Sequence, residues 1–196
     1  YWGNMEDPDI YHDPETRKNS ITYRSNHARL VENLFEEGDT ERAKEILDLA
    51  MEKMPVDYYG YYTLLEPYIS GYYEVGEPET ARELWEKVAE KYQENLSYYS
   101  GWDADRQFEY ADNIITDMER YRALVDLLFR NDEQDYAREK AEEFNSYLSL
   151  YPRFYQDEEE EIQTPRPVDR AIDRELRNPE NIDSLDSTLI ELDEGV

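Results

Sequence analysis

The chain has 196 residues, which is enough for one domain with a sizeable apolar core. Its 49 acidic residues against 21 basic ones give a formal net charge of −28, which would repel a phosphate backbone and excludes nucleic acid as a partner. The chain has no cysteine, so disulfides and thiol chemistry are excluded, and no stretch reaches the roughly 18 apolar residues that would insert into a bilayer.

The first segment, residues 1–23, opens with the run YWGNMEDPDIYHDPE. Prolines and aspartates at this density predict an irregular aromatic lead-in. The run has neither an initiator methionine nor a signal-type apolar stretch, so we expect more sequence upstream of it. Asp9, His12 and Asp13 could gather a cation here, but a capped, irregular lead-in is the preferred interpretation, and no metal site is assigned.

A helical-hairpin pattern begins at residue 24. Gly38 is followed by Ala43, Leu47, Ala50 and Pro55, at offsets of 5, 9, 12 and 17. These offsets match the second half of a tetratricopeptide (TPR) repeat. Glycine suits the left-handed cap between two helices, alanine lets the helices approach, a larger apolar residue fills the next gap, and proline ends the second helix.

The same pattern recurs after Gly76. The offsets of 5, 9 and 12 now fall on three apolar residues, Ala81, Trp85 and Val88. Gln93 stands where the stop proline would be, so the second helix is expected to continue to about Tyr99.

A third, degenerate copy begins at Asp132, because aspartate tolerates the left-handed conformation. Its offsets of 5, 9 and 12 carry Ala137, Ala141 and Phe144. The turns are 38 and then 56 residues apart, which predicts long helices around a break at SYYSGWDAD. Residues 24–155 are therefore predicted to be all-α, with about three TPR-like helical hairpins in a right-handed superhelical stack.

The segment DYYGYYTLLEPYISGYYEVGE, residues 57–77, holds seven tyrosines. A buried helical stripe is predicted within it, since apolar residues recur there at i, i+3, i+4 and i+7, namely Leu65, Tyr68, Ile69 and Tyr72. Pro67 either lies in the first turn of a helix that starts near Glu66 or kinks that helix. Three tyrosines precede the stripe and either face outward or pack in the loop between repeats: Tyr58, Tyr59 and Tyr61.

The last segment, residues 156–196, carries 14 acidic and 4 basic residues. It is predicted to be an acidic, partly disordered tail with one possible short amphipathic helix over residues 167–178.

Several runs make the chain similar to a known family. They are WGN near the start, LLEPYISGYYEVGEPETARELWEKVAEKY, and the block R-x-N-x-A-R-L over residues 24–30. Over residues 2–155 the chain resembles the soluble C-terminal region of large bacterial multi-span membrane proteins of unknown function that are similar to protein O-mannosyltransferases. This resemblance implies an upstream membrane domain of the GT-C type, which would hold the catalytic acid, and an extracytoplasmic (periplasmic) position for the present chain.

The chain itself is expected to be non-catalytic. It has no GxGxxG loop, P-loop or serine elbow, so no cofactor is expected. Its two histidines, His12 and His27, do not stand in a metal-ligand spacing, and His27 is interpreted as a packed or partly exposed helix residue. A glycosidase needs two carboxylates across a cleft, and nothing in the sequence selects two from 49.

A binding groove is expected on the first helices of the hairpins, which line the concave face of such stacks. Its candidate residues are Arg24, Asn26, Arg29 and Asn33 from the first hairpin and Tyr62 and Tyr73 from the second, with Tyr58, Tyr59 and Tyr61 at the rim. Arg24 and Arg29 would receive a carboxylate or a sugar hydroxyl of a protein or peptide ligand, possible ligands being an acceptor polypeptide or the membrane domain itself. In the alternative interpretation they pair with acids such as Glu32 and Glu36 and hold the lead-in against the first helix.

Two explanations of the acidity remain open at this stage. A high-salt source would screen the self-repulsion of the chain, whereas a cationic partner would neutralise it. Two functions also remain open, an accessory domain of a membrane glycosyltransferase-like protein and a free-standing TPR scaffold that binds peptides.

Overall fold

The structure is a computed structural model that describes residues 2–154. All the regular structure in this range is helical, which confirms the predicted all-α class. Eight α-helices and one 3-10 helix occur in it: α1 Pro14–Glu36, α2 Thr40–Lys53, α3 Val56–Tyr59, the 3-10 helix Tyr62–Leu64, α4 Glu66–Glu74, α5 Pro78–Ser100, α6 Ala104–Glu109, α7 Ala111–Arg130 and α8 Gln134–Leu148. The predicted acidic tail and its short helix over 167–178 lie outside the described residues.

The long helices pack in three hairpins, α1 with α2, α4 with α5, and α7 with α8. Each hairpin turns at a residue in the left-handed conformation, with φ of 77° at Gly38, 78° at Gly76 and 60° at Asp132. In all three turns the residue after the left-handed residue donates its backbone N–H to the carbonyl oxygen of the residue five positions before this donor. The N···O distances are 2.8, 2.8 and 3.2 Å. This is the hydrogen bond of a Schellman cap, so the same local geometry closes all three hairpins.

The apolar positions predicted from the turns form the core of the second helices. The residues 5, 9 and 12 positions after each turn are all buried: Ala43, Leu47 and Ala50 in α2, Ala81, Trp85 and Val88 in α5, and Ala137, Ala141 and Phe144 in α8. Small residues stand five positions after each turn because the two helices of a hairpin come close together there.

The tyrosine-rich segment contributes three buried tyrosines to the core, Tyr59, Tyr68 and Tyr72, and its other four tyrosines are half-buried. Its predicted stripe of four residues is buried. Helix α4 begins at Glu66 and has Pro67 in its first turn, where backbone N–H groups have no partner within the helix, so proline removes no hydrogen bond. A Cβ added to Gly71 would stand 3.0 Å from a side-chain methyl carbon of Leu47. The first and second hairpins therefore pack closely through α2 and α4.

Helix α5 runs to Ser100, close to the predicted end at Tyr99, because no proline stops it earlier. Its length allows it to contact both helices of the third hairpin, α7 and α8. The break at SYYSGWDAD lies between α5 and α6, where Asp103 accepts hydrogen bonds from the first N–H groups of α6.

The boundary of the lead-in differs from the prediction. Helix α1 begins at Pro14, so residues 14–23, predicted to be irregular, are helical. Asp13 caps the helix by accepting hydrogen bonds from the N–H and the hydroxyl of Thr16, at 3.0 and 2.7 Å. An aspartate followed by proline is a favoured start for a helix, so these residues begin α1 instead of interrupting the chain.

We predict opposite effects for two substitutions at the turns. Gly76→Ala should lower the free energy of unfolding by about 1 kcal/mol, because a Cβ is unfavourable in the left-handed conformation. No atom lies within 4 Å of the added Cβ, so packing adds nothing to this cost. Asp132→Gly should raise the free energy of unfolding by about 0.5 kcal/mol for the same reason. Urea denaturation measures both, and two changes of the same sign would contradict the account.

Candidate functional site

The polar residues predicted on α1 fall into two groups. Asn26, Arg29 and Asn33 are exposed and follow one another at i, i+3 and i+7, so they form a stripe on one side of the helix. The guanidinium of Arg29 donates to the side-chain oxygen of Asn26 at 2.9 Å. This polar stripe is exposed to solvent.

Arg24 is not part of that surface, contrary to the expectation, because its side chain is completely buried. Its guanidinium donates to the backbone oxygens of Met54 at 2.9 Å, Gly60 at 2.5 Å and Tyr61 at 3.3 Å. The hydroxyl of Tyr68 in turn donates to the backbone oxygen of Arg24 at 2.7 Å. Arg24 therefore fixes the connector between α2 and α4 to α1.

The burial of Arg24 follows from the register of α1. Ser20, Val31 and Leu34 are buried on the same helix, and Arg24 falls on their side of it. Desolvation lowers the pKa of Arg24 to about 10, so the group remains charged at neutral pH. Three carbonyl dipoles, rather than carboxylates such as Glu32 or Glu36, accept its hydrogen bonds.

The tyrosines expected at the rim hold the lead-in instead. Tyr59 is buried, and its hydroxyl donates to the backbone oxygen of Met5 at 2.9 Å. The hydroxyl of Tyr58 donates to the backbone oxygen of Ile10 at 3.0 Å and accepts the N–H of His12 at 3.1 Å. Both side chains thus pack, in agreement with the alternative interpretation, because their hydroxyls satisfy the backbone groups of a segment without regular structure.

Tyr61, Tyr62 and Tyr73 are each half-buried. Tyr61 has a φ of 47°, so it makes the bend into the 3-10 helix. The hydroxyl of Tyr62 accepts a hydrogen bond from Asn95 at 2.9 Å. Burial raises the pKa values of Tyr62 and Tyr73 to about 12, so both phenols remain neutral, and neither side chain is fully exposed.

The structure also brings together a partly buried polar cluster that the sequence reasoning missed. The side-chain amide of Asn95 donates both to the hydroxyl of Tyr62 and to a carboxyl oxygen of Asp117, at 2.9 and 3.0 Å. Desolvation raises the pKa of Asp117 to about 6. A signal was present, because Asp117 interrupts the apolar stripe of α7 between Ile114 and Tyr121.

An aromatic patch at the break after α5 was missed as well. Tyr98 and Phe108 are 63% and 79% exposed. The guanidinium of Arg106 stacks over the ring of Trp102, 4.2 Å from its centroid, and the rings of Trp102 and Tyr98 meet with centroids 5.1 Å apart. The density of aromatic residues between 98 and 110 was visible in the sequence, but it did not show which rings would be exposed.

The cation cluster considered near the start has other roles. Asp13 caps α1, and the backbone N–H of His12 is bound to Tyr58. Across residues 2–154 no three acidic, histidine or cysteine side chains come together as a metal site would require. His27 stacks on Trp2 with ring centroids 5.6 Å apart, and burial lowers its pKa.

None of the helices within residues 2–154 has the length and apolar character that crossing a membrane requires. Comparisons of the chain with protein-family models, with curated proteins and with solved structures find no match.

Replacing the two arginines of α1 by alanine should separate their roles. Arg24→Ala should lower the free energy of unfolding by roughly 3 kcal/mol, because it removes the side-chain donor from the carbonyls of Met54 and Gly60 and opens a cavity. Arg29→Ala makes the same change five positions along the helix and should cost less than about 0.5 kcal/mol, since Arg29 is exposed. If chemical denaturation shows equal losses of unfolding free energy for the two variants, the buried contacts of Arg24 stabilise the fold no more than the exposed side chain of Arg29 does.

Proposed function

We propose that the chain is a non-catalytic interaction domain made of three TPR-like hairpins in a right-handed stack, which binds a protein or peptide. In such a stack each hairpin repeats the contacts of the previous one, and the exposed sides of the first helices form an extended binding surface.

An ion pair that recurs between consecutive hairpins carries this proposal. Lys44 lies six residues after the first turn and contacts Glu77, one residue after the second turn, at 3.2 Å. Arg82 lies six residues after the second turn and contacts Glu133, one residue after the third, with hydrogen bonds of 2.9 and 2.7 Å. The same positions thus meet at both junctions, which favours tandem repeats over three unrelated helix pairs.

The stripe of Asn26, Arg29 and Asn33 is the best candidate for ligand contact. It lies on the first helix of the first hairpin, and it offers a guanidinium and two amides to solvent. Arg29 brings a positive charge to a strongly acidic chain, so it suits a ligand carboxylate, and the amides suit backbone or sugar hydroxyl groups.

The setting of the domain is a second part of the proposal. The resemblance of residues 2–155 to the soluble region of O-mannosyltransferase-like membrane proteins favours an accessory role on the extracytoplasmic side of a bacterial inner membrane. There the domain would position an acceptor polypeptide near a membrane active site. A free-standing scaffold that binds peptides is the alternative, and a multi-span membrane segment encoded upstream in the gene would decide against that alternative.

A double variant of the polar stripe tests the binding surface. Arg29→Ala with Asn33→Ala should leave the melting temperature unchanged, because both side chains are exposed, and should abolish glycosylation of the acceptor by the full-length protein. Arg42→Ala is the control, since Arg42 is an exposed arginine on a second helix, α2, and this variant should keep full activity.

Two results would contradict this assignment. A melting temperature well below that of the parent would make the stripe structural. Unchanged glycosylation by a stable double variant would show that the acceptor does not use the stripe.

A further inference from the structure

A partly buried hydrogen-bonded chain connects three elements at the junction of the second and third hairpins. Tyr62 belongs to the 3-10 helix, Asn95 to α5 and Asp117 to α7. Asn95 lies in the middle and uses its one amide group to donate to both of the others. This amide therefore adds a polar link between α7, α5 and the 3-10 helix to the apolar packing and the Trp85–Leu124 and Gln93–Tyr121 hydrogen bonds that also join α7 to α5.

The carboxyl group of Asp117 is buried and lies close enough to several buried phenols to affect their ionisation. Asp117 is 8% exposed, and the electrostatic neighbours of its carboxyl group include the buried phenols of Tyr92, Tyr99 and Tyr151. The rings of Tyr62 and Tyr92 meet edge to face with centroids 5.2 Å apart. The hydroxyl of Tyr151 is already engaged, since it donates to the backbone oxygen of Leu96.

The charged groups around this site come from three helices. Arg120 of α7 favours the ionised form of Asp117, as does the hydrogen bond from Asn95. Glu94 of α5 and Glu66 of α4 act on the neighbouring tyrosines, and Glu66 also lies 3.6 Å from Arg130. Burial outweighs the stabilisation from Arg120 and Asn95, so the pKa of Asp117 is raised above its ordinary value.

We propose that Asp117 is a proton-controlled latch between the second and third hairpins. When the carboxyl is protonated, α7 stays docked on α5 and the 3-10 helix. When it loses its proton, a negative charge lies among buried rings, and the junction opens locally so that water reaches it.

The direction of the pH dependence follows from linkage. The pKa of Asp117 is about 6 in the docked state and near the ordinary 3.8 once the junction opens to water. The docked state therefore binds the proton more tightly than the open state. The extra stability that this gives the docked state is complete below the ordinary pKa and is lost as the pH rises through about 6. From pH 5 to pH 7.5 these two pKa values correspond to an increase of about tenfold in the equilibrium constant for local opening.

Amide hydrogen exchange of the whole chain at pH 5 and pH 7.5 tests the latch, after correction for the intrinsic pH dependence of exchange. In the parent protein the amides of residues 92–99 and 114–121 should open about tenfold more often at the higher pH. In Asp117→Asn this difference should vanish. Glu119→Gln removes the same charge from an exposed position of the same helix and should behave like the parent.

Equal protection of the parent at both pH values would overturn the proposal, as would an Asp117→Asn variant that keeps the pH dependence of the parent. If Asp117→Asn does not fold, carbon-13 NMR of the carboxyl groups in the parent decides instead. A titration of Asp117 with a midpoint near 6, shared by the exchange of residues 114–121, supports the latch. A midpoint near 4 overturns it.

Discussion

The register of the described fold depends on a backbone constraint at three turns. Each hairpin reverses at a residue with positive φ, and the following N–H closes a Schellman cap. That cap fixes where the second helix begins, and hence which residues face its neighbour. The buried alanines five positions later and the basic residues six positions later both follow from this start. A hydrogen bond in the backbone thus sets the contacts of side chains at both junctions.

Those parts of the fold could be predicted from the sequence because they depend on local chemistry. Glycine or aspartate at the turns, small residues at the close approaches and the absence of a stop proline in α5 all act within one hairpin. The stripe of Leu65, Tyr68, Ile69 and Tyr72 was equally visible, since helical periodicity reports which side of a helix is buried. Exposure of Asn26, Arg29 and Asn33 follows from the same periodicity, whereas their binding role stays a proposal.

The roles of buried polar groups could not be predicted, because they depend on partners distant in sequence. Arg24 binds carbonyls 30 to 37 residues away, and Asp117 meets an amide 22 residues before it. In the sequence Arg24 looks like an ordinary surface charge on an amphipathic helix, and Asp117 shows only as an interruption of the apolar stripe of α7, without its partner. Composition did not single out either residue, because the chain has 70 charged residues. The sites with the largest expected effect on stability and pH response were therefore the least visible in the sequence.

A double-mutant cycle across Arg82 and Glu133 tests the central claim most directly, namely that the hairpins are repeats joined through equivalent positions. Single and double alanine variants should give a coupling free energy of about 1 kcal/mol at this junction and a smaller one of the same sign for Lys44 with Glu77, because Glu77 is more exposed than Glu133. The control is Arg138 with Asp135, an exposed pair within α8 that joins no hairpins and should show almost no coupling. Coupling at both junctions no larger than in this control would contradict the account.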